Sequence, residues 1–146
     1  EGRRSILVEV QALVTPTRQP QPRRSVRGIE ATRVHQVLAV LERHCGVSLA
    51  EKEVYVNVVG GWRLAEPAAD LAVALAVASS ETDIALGSTA AWGEIGLAGE
   101  VRSVPFAERR RAESERSGIR RMLVAEPRSN TRLDVVLAAA GLTPAG

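Results

Sequence analysis

The sequence predicts an α+β domain of mixed strands with packed helices, in the order β-β-α-β-α-β-β-α-β-α. Three observations lead there. Apolar residues alternate with period two in some segments and recur at helical spacing in others. Turn residues separate these segments at short intervals. The chain of 146 residues, 45% hydrophobic and 25% charged, also has the length and balance of a soluble globular domain able to bury a core.

Ser5–Val14 opens the series, with Ile6, Val8, Val10, Ala12 and Val14 set against Glu9 and Gln11, as in a half-buried strand. Thr15–Pro22 holds three prolines and reads as an exposed loop. Arg24–Gly28 is a short returning strand. Val34, Val37, Leu38, Leu41 and Cys45 follow helical spacing, and Gly46 stands where a helix stops. Glu53–Val59 places Val54, Val56 and Val58 on one face of a strand. Pro67 suits the first turn of a helix over Pro67–Ser79, apolar on nearly all sides and hence buried.

Ala90–Leu97 and Glu100–Val104 flank Ala98-Gly99 as a hairpin. Pro105–Ser117 is polar and arginine-rich, a solvent-facing helix ending before Gly118. Ile119–Ala125 is a strand, and Asn130 is placed to cap a last helix carrying Leu133, Val136, Leu137 and Ala140. No repeat, low-complexity tract or long linker divides the chain, so residues 1–146 are expected to form one domain. Glu1 at the start and a single methionine, Met122, point to a piece of a longer protein.

Composition narrows the chemistry. The longest apolar run, Leu71–Ala78, falls well short of the ~18–20 residues of a membrane span. With no charged-then-apolar leader and one cysteine, Cys45, the expected setting is cytoplasmic and reducing. Zinc would need four nitrogen or sulfur ligands, and only His35, His44 and Cys45 are on offer. The sole lysine, Lys52, follows Glu51 rather than a glycine run, so there is no phosphate loop. Gly60-Gly61 and the glycines at 93, 96 and 99 lack a dinucleotide fingerprint's strand-to-helix context and read as turns. Neither metal nor nucleotide cofactor is expected within these residues. Four aromatics (Tyr55, Trp62, Trp92, Phe106) are too few for a multi-base stacking platform.

Charge is segregated behind a net +2. Residues 1–33 carry +4, residues 34–101 carry −6 and residues 102–132 carry +5. Eighteen arginines to one lysine fits either general replacement of lysine or a basic face for phosphate. Arg23, Arg24 and Arg27, with Arg109, Arg110 and Arg111, are the DNA-binding candidates. For the second set, a solvated helix face partnered by Glu108, Glu113 and Glu115 is the alternative.

Several stretches taken together resemble a known family. They are Leu7–Val14, Leu38–Gly46, Glu53-Val-Tyr-Val-Asn-Val-Val-Gly-Gly, Glu66-Pro-Ala-Ala-Asp-Leu-Ala-Val-Ala, and Gly93-Glu-Ile-Gly-Leu-Ala-Gly-Glu-Val-Arg-Ser-Val. In this order they resemble the C-terminal, Lon protease-like domain of the RadA (Sms) family of bacterial DNA repair proteins. The resemblance runs from about Arg4 to Ala140.

Lon-type proteases use a serine–lysine dyad. The serine motif reads Ala65-Glu-Pro-Ala-Ala-Asp here, putting Ala68 at the nucleophile position. The lysine position falls at Glu108 within Pro105-Phe-Ala-Glu-Arg-Arg. Neither side chain has the chemistry of its counterpart, so the resemblance implies a catalytically inactive scaffold. It further implies a homo-hexameric ring and DNA contact within an ATP-dependent branch-migration helicase. ATP, magnesium and zinc would belong to parts of such a protein outside these residues, and a RecA-type recombinase would be its partner. The alternatives are a peptidase with a relocated nucleophile, such as Ser79 or Ser103, and a purely structural oligomerisation domain.

Overall fold

A computed structural model describes residues 5–126 and 130–143. The order is β1 (Val10–Pro16), β2 (Arg24–Arg27), α1 (Ala31–Cys45), β3 (Lys52–Val58), α2 (Asp70–Thr82), β4 (Thr89–Trp92), β5 (Glu94–Ile95), β6 (Val101–Arg102), α3 (Ala107–Arg116), β7 (Arg121–Val124) and α4 (Leu133–Ala139). Among the described residues this is an α+β arrangement with one strand more than the sequence pattern suggests.

The first sheet runs β1-β3-β2, with β1 antiparallel and β2 parallel to the central strand. Alternation divides its faces. Val10, Ala12, Val14, Val26, Val54 and Val56 look inward, while Gln11, Leu13, Tyr55 and Asn57 look outward. Against the inner face lies α2, buried at Leu71, Val73, Ala74, Leu75, Val77 and Ala78. It touches β1, α1 and β4, so it is the hub of the core. The helix α1 buries Val34, Val37, Leu38, Val40 and Leu41 and packs on both α2 and α4. Gly46 closes it in the left-handed region at φ 69, its N–H reaching Leu41 O.

The single strand expected over 90–97 is divided at Gly93. Its N–H donates to Ala68 O at 3.0 Å, and its carbonyl accepts from Leu71 N–H at 3.1 Å. The turn opening α2 thus takes the backbone groups a continuous strand would need. Before Gly93, β4 pairs in parallel with β7; after it, β5 pairs with β6 in the expected hairpin.

The cap of α4 also differs from expectation. Its N-cap is Arg132, without a side-chain bond, rather than Asn130. Gly99 O accepts from Leu133 N–H at 2.9 Å, so the 96–99 turn meets a donor that a capping side chain would otherwise serve. Among the described residues, no helix is long and apolar enough to cross a membrane.

Candidate functional site

Three loci hold the candidate residues. The first joins the two segments where the resemblance places a dyad. Pro67 begins one tight turn ahead of α2, which leaves Ala68 buried and Glu66 exposed. The Ala68 methyl packs with Ala90 and Trp92, beside Val104, Ile119, Met122 and Val124. Glu108 is exposed in the first turn of α3. What joins the segments is Arg110, whose guanidinium donates to Glu66 Oε2 at 3.1 Å and to Pro105 O at 3.0 Å. An ion pair therefore spans two segments that are far apart in sequence. Next to Ala68, the Trp92 indole Nε1 is buried, with no hydrogen-bond partner among the described residues.

Beneath this turn, Asp70 is 2% exposed and engaged on both oxygens. Arg33 Nε donates to Oδ1 at 3.0 Å, and its terminal nitrogen donates to Oδ2 at 2.6 Å. Ile95 N–H adds a third bond to Oδ2 at 3.1 Å. The bond to Asp70 raises the Arg33 pKa further above its ordinary value, against the opposing effect of burial. Nothing in the sequence pattern singles out Arg33 or Asp70 as a pair. Their partnership depends on α1 lying across α2, which local spacing does not reveal.

The second locus is α3. Arg109 is exposed, with its guanidinium 5.0 Å from the Phe106 ring centroid. Arg111 reaches Glu126 at 3.3 Å. With Arg110 on Glu66, two of these three arginines have acidic partners, though not Glu108, Glu113 or Glu115. Ser114 is the buried residue of this helix.

The third locus is the β2 edge, where alternation sorts the arginines. Arg24 shares the inward face with Val26 and is tied to backbone: it donates to Leu49 O at 2.9 Å and to Lys52 O. Arg23 is exposed and lies close enough to the Tyr55 hydroxyl to affect its ionisation. The larger influence on Tyr55 is its hydrogen bond to Glu53, which pushes the phenol upward. Arg27 projects to solvent beside Asn57, its partner in register.

Arg27 also lines an open cavity of about 340 Å³ with Asn57, Gly60, Gly61, Trp62 and Arg63. Its wall forms because Leu64 N–H donates to Gly28 O at 2.7 Å, laying the 62–64 segment against the end of β2. Gly28, at φ 85, is required there, since a Cβ would come within 2.7 Å of Val58 Cβ and 2.8 Å of Trp62 O. Trp62 is 45% exposed, with the pyrrole end of its indole over Gly60. In the sequence Gly60-Gly61 reads as a turn, and Trp62 carries no role of its own. The signal available was an aromatic beside Arg63 in a glycine turn, and the approach of Arg27 is tertiary.

The alternative nucleophiles are placed as follows. The Ser79 hydroxyl donates to Ile84 O at 2.6 Å, and Ser103 is exposed after β6. The Lys52 amine is 2.7 Å from Glu81 Oε1. Among the described residues, no group of three or more His, Cys, Asp or Glu side chains could hold a metal ion.

No family model matches the chain. It is 50% identical over 121 residues to DNA repair protein RadA of Brucella abortus (strain 2308), covering 82% of this chain and 26% of that protein. Against DNA repair protein RadA of Escherichia coli (strain K12) it is 46% identical over 125 residues, 85% of this chain and 27% of that protein. Against the Bacillus subtilis (strain 168) protein of the same name, identity is 44% over 125 residues, with the same coverage of 85% and 27%. The chain thus spans about a quarter of the length of the curated relatives it matches.

Proposed function

From its place as a homologue of a RadA segment, we propose that the chain is a non-proteolytic, Lon-like module of DNA repair and recombination that holds DNA through arginine. The observation that carries this reading is the identity of 44–50% to proteins named DNA repair protein RadA. Ala68 supports the non-proteolytic part. A methyl group has no lone pair or acidic proton with which to attack a carbonyl. Glu108 has no amine with which to replace the missing lysine. The ion pair between Glu66 and Arg110 ties these two segments together without supplying a nucleophile.

Guanidinium groups on exposed surface suit phosphate contact that is independent of base sequence. Arg23, Arg27 and Arg109 are the exposed candidates with no hydrogen bond to a carboxylate among the described residues. Arg24 holds the α1–β3 loop and acts through the fold rather than on DNA. In the longer protein we expect a homo-hexameric ring in the cytoplasm, working as an ATP-driven branch-migration helicase beside a RecA-type recombinase. ATP, magnesium and zinc would be bound outside these residues.

A DNA titration of the full chain across salt concentrations tests the reading. Binding should weaken with salt, and each arginine-to-alanine change that removes one phosphate contact should flatten the log–log slope by about 0.7–0.9. Absence of binding at low salt overturns DNA contact and leaves a structural oligomerisation domain. Covalent labelling of Ser79 or Ser103 by a serine-reactive probe overturns the non-proteolytic part. For the ring, light scattering of the full-length protein should give six copies; a monomer would overturn it.

A further inference from the structure

Arg27 and Arg63 line one cavity with the half-exposed Trp62, and no carboxylate among the described residues shares that lining. Arg24, Arg33, Arg110 and Arg111 bond acids or carbonyls of this chain. Among the described residues, no hydrogen bond or ion pair engages the guanidinium of Arg27 or Arg63. Two unneutralised cations therefore line a concave wall with an aromatic surface, and the wall is left open at Gly61, where a Cβ would meet nothing within 4 Å.

We propose that this cavity binds one nucleotide of single-stranded DNA, its phosphate held by Arg27 and Arg63 and its base stacked on Trp62. The proposal rests on the DNA-contact reading above and names a site for it. Each component matches a part of the ligand. A guanidinium fork fits phosphate oxygens. An indole face accepts any base, but only one freed from its neighbours in a duplex stack. Asn57, in the same lining, offers an amide for the edge of that base. Gly61, with open space where a Cβ would stand, leaves room for a sugar to approach the backbone. Among the described residues no other aromatic lines the cavity, so the site takes one base rather than a run.

Affinity of the full chain for a short oligo(dT) and for a duplex of equal length, read by anisotropy at low salt, tests the proposal. Trp62→Ala should weaken single-strand binding by about 5- to 100-fold while leaving duplex binding unchanged, and Trp62→Phe should restore most of the loss. Arg27→Ala and Arg63→Ala should each weaken binding and flatten its salt slope by about 0.7. In a Trp92→Phe background, saturating oligo(dT) should quench the remaining indole emission. Single-strand affinity that survives Trp62→Ala intact, or emission unmoved at saturation, overturns this site while leaving DNA contact elsewhere. A chain that binds neither form of DNA overturns both readings.

Discussion

Arg33 grips Asp70 through two parallel bonds, and the carboxylate is nearly sealed from water while the guanidinium keeps 24% of its side-chain surface. Truncating Arg33 to alanine would strand a buried charge, and a loss of about 3–5 kcal/mol is expected. Asp70→Asn should cost less, since an amide oxygen can still accept from Ile95 N–H. Urea denaturation midpoints of the two variants check this order; Asp70→Asn proving the worse would contradict it.

Gly28→Ala should cost about 1–3 kcal/mol through its left-handed backbone, before any displacement of Val58 or Trp62 is added. Thermal unfolding gives the loss. The emission maximum gives its location, because Trp62 should move further into solvent when the 62–64 segment is pushed off β2.

Cys45 is half-buried and packs against the main core. Burial above all, aided by Asp134 and opposed by Arg132, pushes its thiol from 9.0 up to about 11. The folded state therefore holds the thiol proton more tightly than the unfolded one. That stabilisation is complete below 9.0 and is lost as the pH rises through about 11. The midpoint difference between the parent chain and Cys45→Ala should shrink over that window. A thiol reagent near pH 8 should react far more slowly with folded than with unfolded chain.

Trp92→Phe removes an indole N–H that is buried with no partner among the described residues. Relief of that unsatisfied donor, about 1–3 kcal/mol, offsets much of the packing loss. The net cost should stay below about 2 kcal/mol, against about 3–5 kcal/mol for Trp92→Ala. Chemical denaturation of the two variants distinguishes them.

Local signals were legible wherever one residue decides the outcome. Gly46 ends α1 because its left-handed conformation suits glycine, and the alternation of Val54, Val56 and Val58 marks β3 unaided. Where a distant segment decides, the sequence was silent or misleading. Gly93 breaks a strand only because the Ala68–Leu71 turn comes to it. Arg24 and Arg27 look equivalent in the sequence, yet alternation aims one at Leu49 O and the other at solvent. The cavity with Trp62 and Arg63 depends on the Ile29–Leu64 bridge between separate parts of the chain. Ala68 and Glu108 are readable residue by residue, whereas the pairing of Glu66 with Arg110 is not.

The helices α2 and α3 stand at opposite extremes of burial, and this divides the domain by its tolerance of change. Nearly every position of α2 between Asp70 and Ala78 is enclosed, so insertions or enlarged side chains there would disturb several neighbours together. With Ser114 as its buried residue, α3 leaves most positions open to exchange without reshaping the interior. A designer wishing to retune the domain's surface charge, or to attach a label, has a ready handle in α3 and none in α2.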